Sequence, residues 1–106
     1  MTEFKEVGGA RIGIWNVSWP LASLTVRKDS IQLYVVLFGS MTLKQGDVIS
    51  IQTCSGFLNS GIRINHRVSG HNKNIIFWCF GNPHTLIKRI EDTGFFENNT
   101  AASENH

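Results

Sequence analysis

The chain has 106 residues, 42% hydrophobic and 17% charged, which is the size and composition of one ordinary globular domain rather than of a disordered chain. Ten Lys and Arg against eight Asp and Glu leave a formal charge of +2. That is too small to draw the chain to nucleic acid or a membrane by long-range field, so any electrostatic site must come from local clustering.

No apolar run approaches the ~20 residues that cross a bilayer, and residues 1–6, with their acidic side chains, do not read as a secretory signal. A cytoplasmic protein is therefore expected, peripheral at the membrane if it meets one. Cys54 and Cys79 each sit in or beside an apolar, strand-like run and read as buried free thiols.

Along the chain the hydrophobic period is two, which predicts strands with one buried face. Ala10, Ile12 and Ile14 alternate with Arg11 and Gly13, predicting a first strand. By phase, Trp15 faces out of it. Residues 16–20 read as a loop that holds Trp19. Ala22, Leu24 and Val26 mark a second strand. After the polar break at 28–30, residues 31–35 complete a hairpin with it.

Gly39 and Ser40 end that run, residues 41–43 form a short strand, and 44–47 is a turn before the next strand at 48–53. Residues 61–68 alternate cleanly. Ile62, Ile64, His66 and Val68 lie on one face, with Arg63, Asn65 and Arg67 on the other. Residues 75–80 are apolar on both faces, as in a strand covered on each side.

The period then changes. Asn82 and Pro83 mark a helix start, Leu86, Ile87 and Ile90 form an apolar stripe at helical spacing, and Gly94 is placed to end the helix. Phe95 and Phe96 are expected to fold back onto the core. The expectation is one domain over residues 1–96, mainly β, with seven antiparallel strands in a partial barrel or sandwich capped by one C-terminal helix. Residues 97–106 read as a disordered polar tail.

The order of these pieces resembles the small bacterial pleckstrin-homology-like and GRAM-like domains. The resemblance is carried by Ala22-Ser23-Leu24-Thr25-Val26 through Ile31-Gln32-Leu33, by Gly46-Asp47-Val48-Ile49-Ser50-Ile51, and by Gly61-Ile62-Arg63-Ile64-Asn65-His66. Ile75-Ile76-Phe77-Trp78 and Leu86-Ile87-Lys88-Arg89-Ile90 with Gly94-Phe95 complete it. It spans roughly residues 8 to 96 and implies a seven-stranded partial barrel closed by a helix. That fold hosts lipid binders, peptide binders and scaffolds alike. Lipid-binding relatives place Lys and Arg on the first two strands and their connecting loop. Here residues 16–20 carry none, which weighs against phosphoinositide binding.

Catalysis is not expected. Cys54 or Cys79 with His66 is the only conceivable nucleophile and base, and neither has a glycine-rich or oxyanion-forming turn around it. His66, His71 and His84 have no recognised metal-ligand spacing, and no cofactor motif is present. His66 reads as a buried, hydrogen-bonded side chain.

The leading expectation is a non-catalytic binding or assembly module. Its partner is a protein, a second copy of the chain included, engaged through Trp15, Trp19 and Phe38. The loops holding Trp19 and Phe38 are expected to share one open end with His71 and Lys73. The alternative is an anionic lipid surface recognised through Arg63, Arg67, His71 and Lys73, with Arg11 or Arg27 beside them. Nucleic acid is not expected.

Overall fold

The computed structural model describes residues 3–56, 59–70 and 73–96. These form β1 (Phe4–Ile12), β2 (Trp15–Val26), β3 (Ser30–Val35), β4 (Gly39–Lys44), a single 3₁₀ turn (Gln45–Asp47), β5 (Val48–Ser55), β6 (Ser60–His66), β7 (Ile75–Cys79) and α1 (Pro83–Asp92). The fold is mainly β, a curled half-barrel of seven antiparallel strands with one C-terminal helix, as the periodicity predicts. The strand order is β4-β3-β2-β1-β7-β6-β5, so two meanders meet where β1 pairs with β7.

The concave face carries the core. Leu24, Val26, Ile31, Leu33, Val35 and Leu43 come from one meander, Val48, Ile62, Ile64, Ile75 and Phe77 from the other, and Leu86, Ile90 and Phe95 close it from the helix. Phe77 sits at the junction of the meanders, and glycines make room for it. A Cβ on Gly8 would stand 2.7 Å from the Phe77 ring, and one on Gly61 would strike the Phe77 backbone, with its carbonyl carbon at 2.9 Å.

The first two strands differ from the expected ones. β1 begins at Phe4, six residues before the expected start, because Phe4 and Glu6 are half-buried and meet a helix side chain, with Phe4 also packing on the edge of the core. The Arg89 guanidinium lies 4.0 Å from the centre of the Phe4 ring and pairs with Glu6 at 3.1 Å. Ile14 is not a core residue of the first strand. Gly13 and Ile14 form a two-residue hairpin turn, with Gly13 at φ 64 in the first central position as in a type II′ turn.

The expected loop at 16–20 is strand. Asn16 and Val17 pair with Arg11 and Ala10, and the irregularity that Pro20 signals is absorbed as a bulge. There β2 runs from Val17 to Ala22 while β1 runs back only from Ala10 to Gly8. The strand expected over 61–68 ends at His66, and just past it the Arg67 N–H donates to the carbonyl of Asp47, in the 3₁₀ turn before β5, at 2.9 Å.

The helix signals hold. Asn82 Oδ1 accepts the His84 N–H at 2.8 Å, Pro83 takes the first position, and Gly94 adopts φ 88. Beyond the helix, the buried Thr93 hydroxyl donates to Ile90 O at 2.6 Å and accepts the Phe95 N–H. The Gln45 side chain donates to the Phe95 carbonyl at 2.8 Å, tying the 3₁₀ turn to the helix exit. The tail expected at 97–106 and the Phe57–Leu58 pair lie outside the described residues.

Gly61→Ala should lower stability by about 1–3 kcal/mol, because backbone rather than a flexible side chain opposes the added methyl. Gly46→Ala, where a Cβ meets nothing within 4 Å, should change it by under ~0.5 kcal/mol. Urea unfolding midpoints of the two variants check the contrast.

Candidate functional site

The two-residue turn decides where Trp15 points. Ile12 and Trp15 are directly opposed, so they share the concave face, and the outward orientation expected from phase along a continuous strand is corrected. Trp15 is nonetheless 61% exposed, because it lies at the open end of the half-barrel, beyond the last core layer. There its ring meets Phe38, centroid to centroid at 5.7 Å and tilted by 54°. The pair covers Ala10, Ile12, Val17 and Val35.

Phe38 is held by a tight turn between β3 and β4. Its N–H donates to Val35 O at 3.0 Å, which closes a four-residue turn with Leu37 third. Leu37 has φ 78, the glycine position of a type II turn, and is 97% exposed. A branched apolar residue in the left-handed region costs roughly 1–2 kcal/mol, and here no buried contact of its own offsets it. At the neighbouring hairpin tip Ile14 is 86% exposed. No charged residue occurs from Ile12 to Val26 or from Ile31 to Leu43. The two tips thus form an apolar rim of Ile14, Trp15, Leu37 and Phe38.

Trp19 belongs elsewhere. It sits in the β2 bulge, 58% exposed, with its ring 6.3 Å from that of Phe80 just past β7. Trp19 and Phe38, expected to share one open end, are therefore apart: Phe38 stands with Trp15, and Trp19 with Phe80. Sequence reading missed Phe80, having counted it as the last residue of a doubly covered strand. Trp78, by contrast, lies flat on the outer face. Its indole N–H donates to Asn16 Oδ1 at 2.7 Å, and its benzo edge packs on Gly56.

The basic candidates are also rearranged. Arg63 stays on the outer face of β6, while Arg67, past the strand end, no longer shares that row. Arg63 gains a different neighbour. Arg11 pairs with Ile76 and Ile76 with Arg63, so two guanidinium groups flank one apolar side chain, on strands about 10 Å apart. Ile76 faces outward yet is buried between them. Arg11 Nε donates to Gly13 O at 3.0 Å, and Arg63 Nη1 donates to Asn74 Oδ1 at 2.7 Å. Lys73 Nζ donates to the His66 carbonyl at 3.4 Å. Arg27 is remote, in the turn after β2, and His71 lies outside the described residues.

His66 is buried, and its Nδ1 accepts the Val68 N–H at 3.1 Å. Cys79 pairs with Ser60 at the far end of β6 and Cys54 with Gly61, which leaves both thiols some ~15–20 Å of strand from His66. Burial and the nearby Glu6 carboxylate push the Cys79 thiol above its ordinary pKa. Among the described residues, no group of three or more His, Cys, Asp and Glu is placed to hold a metal ion, and no helix is long and apolar enough to cross a membrane. In comparisons with known proteins the chain matches no family model, no curated protein and no solved structure.

Leu37→Gly should relieve the turn and raise the melting temperature by about 4–8 °C, the shift that 1 kcal/mol produces in a domain of this size. A lower melting temperature would mean that Leu37 is held by packing instead. Differential scanning calorimetry distinguishes the two.

Proposed function

We propose that this domain is a non-catalytic binding and assembly module of the pleckstrin-homology-like kind, and that it docks a second copy of itself through the rim of its two hairpin tips. The observation that carries the reading is the exposure of Ile14, Trp15, Leu37 and Phe38 on adjacent tips, with Leu37 presented by a strained turn. Exposed apolar side chains scattered singly need no explanation, whereas a contiguous aromatic and aliphatic group marks a contact surface. The four rim side chains are themselves uncharged, so the centre of a rim-to-rim contact would be apolar, with the Arg11 guanidinium on Gly13 O at its edge. Trp15 and Phe38 would form the buried centre of the contact.

A second reading rests on Arg11 and Arg63. Neither is in an ion pair with a carboxylate among the described residues, and Lys73 follows in the loop beside Asn74. That arrangement suits an anionic lipid surface, with the arginines meeting head groups and the tips meeting the interfacial region.

Light scattering on a size-exclusion column at ~50 and ~500 mM salt separates the two, since charge screening changes strongly over that range. Self-association through the rim predicts a dimer at both salts that Trp15→Ala with Leu37→Asp converts to monomer. A monomer throughout would sink it. Sedimentation with phosphatidylserine vesicles would then be expected to fall with salt and with Arg11→Gln plus Arg63→Gln.

A further inference from the structure

The outer face of the sheet holds a second feature, and it uses none of the rim residues. Where the β2 bulge stands away from β1, a cleft of about 380 Å³ opens toward the start of β6 and the end of β7. Trp78 is its floor, Trp19 and Phe80 are its exposed aromatic walls, and Ser18, Asn59 and Ser60 supply polar edges. The volume lies in the range of sites that hold a ligand, roughly 300–1,000 Å³. Phe80 is 88% exposed at the mouth, a position in which a side chain of this size adds nothing to the core.

The chemistry of the lining narrows what fits. Among the described residues no charged side chain lines the cleft, and burial and the nearby Glu6 carboxylate raise the pKa of the Cys79 thiol beside it. An ionic ligand would find no counter-charge there. The Trp78 N–H is committed to Asn16, which fixes the floor in one orientation. The Trp19 N–H has no acceptor among the described residues, and the Ser18 and Ser60 hydroxyls and the Asn59 amide add groups around the aromatic faces that can donate or accept.

A ligand that complements this set is apolar and ring-rich, uncharged, and offers an acceptor to the Trp19 N–H. A polyproline II chain has those properties. Its rings present flat apolar faces, its carbonyls project outward with no internal hydrogen bonds, and proline has no N–H to satisfy. Its stiffness also limits the ordering cost of docking, which is why aromatic-lined grooves recognise such segments. We propose that the cleft formed by Trp19, Trp78 and Phe80 binds an uncharged, proline-rich segment of a partner protein.

Acetylated decaproline, added to the ¹⁵N-labelled full chain up to ~1 mM, tests this in the region of the nitrogen–proton spectrum where tryptophan indole signals appear. Trp15→Phe, Trp19→Phe and Trp78→Phe assign the three signals. The expected result is that the Trp19 and Trp78 signals move while Trp15 stays, with no dependence on salt. Trp19→Ala and Phe80→Ala, both at exposed positions, should keep the spectrum of a folded chain and weaken binding about tenfold or more. Absence of any shift would overturn the proposal, as would equal binding by Trp19→Ala. Movement of Trp15 alone would assign the peptide to the rim. Shifts with maltotriose but not with decaproline would make the cleft a saccharide site instead. The rim can fail to self-associate without altering any of these outcomes.

Discussion

Everything in this domain depends on the first strand meeting the last. β1 pairs with β7 through Gly9 and Trp78, Ala10 and Phe77, Arg11 and Ile76, and Ile12 and Ile75. Without that ladder the chain would be two separate meanders, each with its apolar face in water. The pairing brings the largest side chains of β7 against the least bulky backbone available. Gly8 lies under the Phe77 ring, and Gly9 and Gly61 flank Trp78 on the neighbouring strands. A contact so distant in sequence carries a high chain-closure cost, and it forms only because burying Phe77, Ile75 and their neighbours outweighs it.

The same junction organises the surface. Because β7 is covered on its concave face by core and on its outer face by arginine stems and its own tryptophan, little of its apolar area is left to water until Phe80. The bulge in β2 is the counterpart of this crowding. It carries the strand past Gly9 and turns Trp19 toward the end of β7. At the other extreme of β2, the short turn at Gly13 and Ile14 commits Trp15 to the open end, where its ring meets that of Phe38. Two aromatic groups thus arise from one irregular strand.

Stability and presentation pull against each other at the tips. Leu37 occupies a backbone conformation suited to glycine and buries almost nothing, so the fold would lose little if it were replaced. The core meets its own requirements elsewhere, through the helix stripe, the Thr93 hydroxyl and the Gln45 side chain that holds the helix exit. An apolar residue kept where it strains the turn is readily explained by a contact outside the chain.

Much of this architecture was legible in the residues. Local pattern marked five of the seven strands near their true positions, and the helix was bounded by Asn82, Pro83 and Gly94, because periodicity and capping chemistry act over a few residues. The first half of β1 was not legible, since Phe4 and Glu6 answer to Arg89, which lies far along the chain. Nor was the role of residues 16–20, whose Asn and Pro signal irregularity but not whether it falls in a loop or in a bulge within a paired strand. The candidate aromatics were recognised singly, as large side chains without an obvious place in the core. Their grouping depended on register, as did the replacement of Arg67 by Arg11 as the neighbour of Arg63. By itself the sequence determined the number and kind of elements, because side-chain period and turn chemistry are local. Only the tertiary structure decided which elements became neighbours and which exposed side chains share a surface, because a single bulge or a two-residue turn resets the facing of everything that follows it.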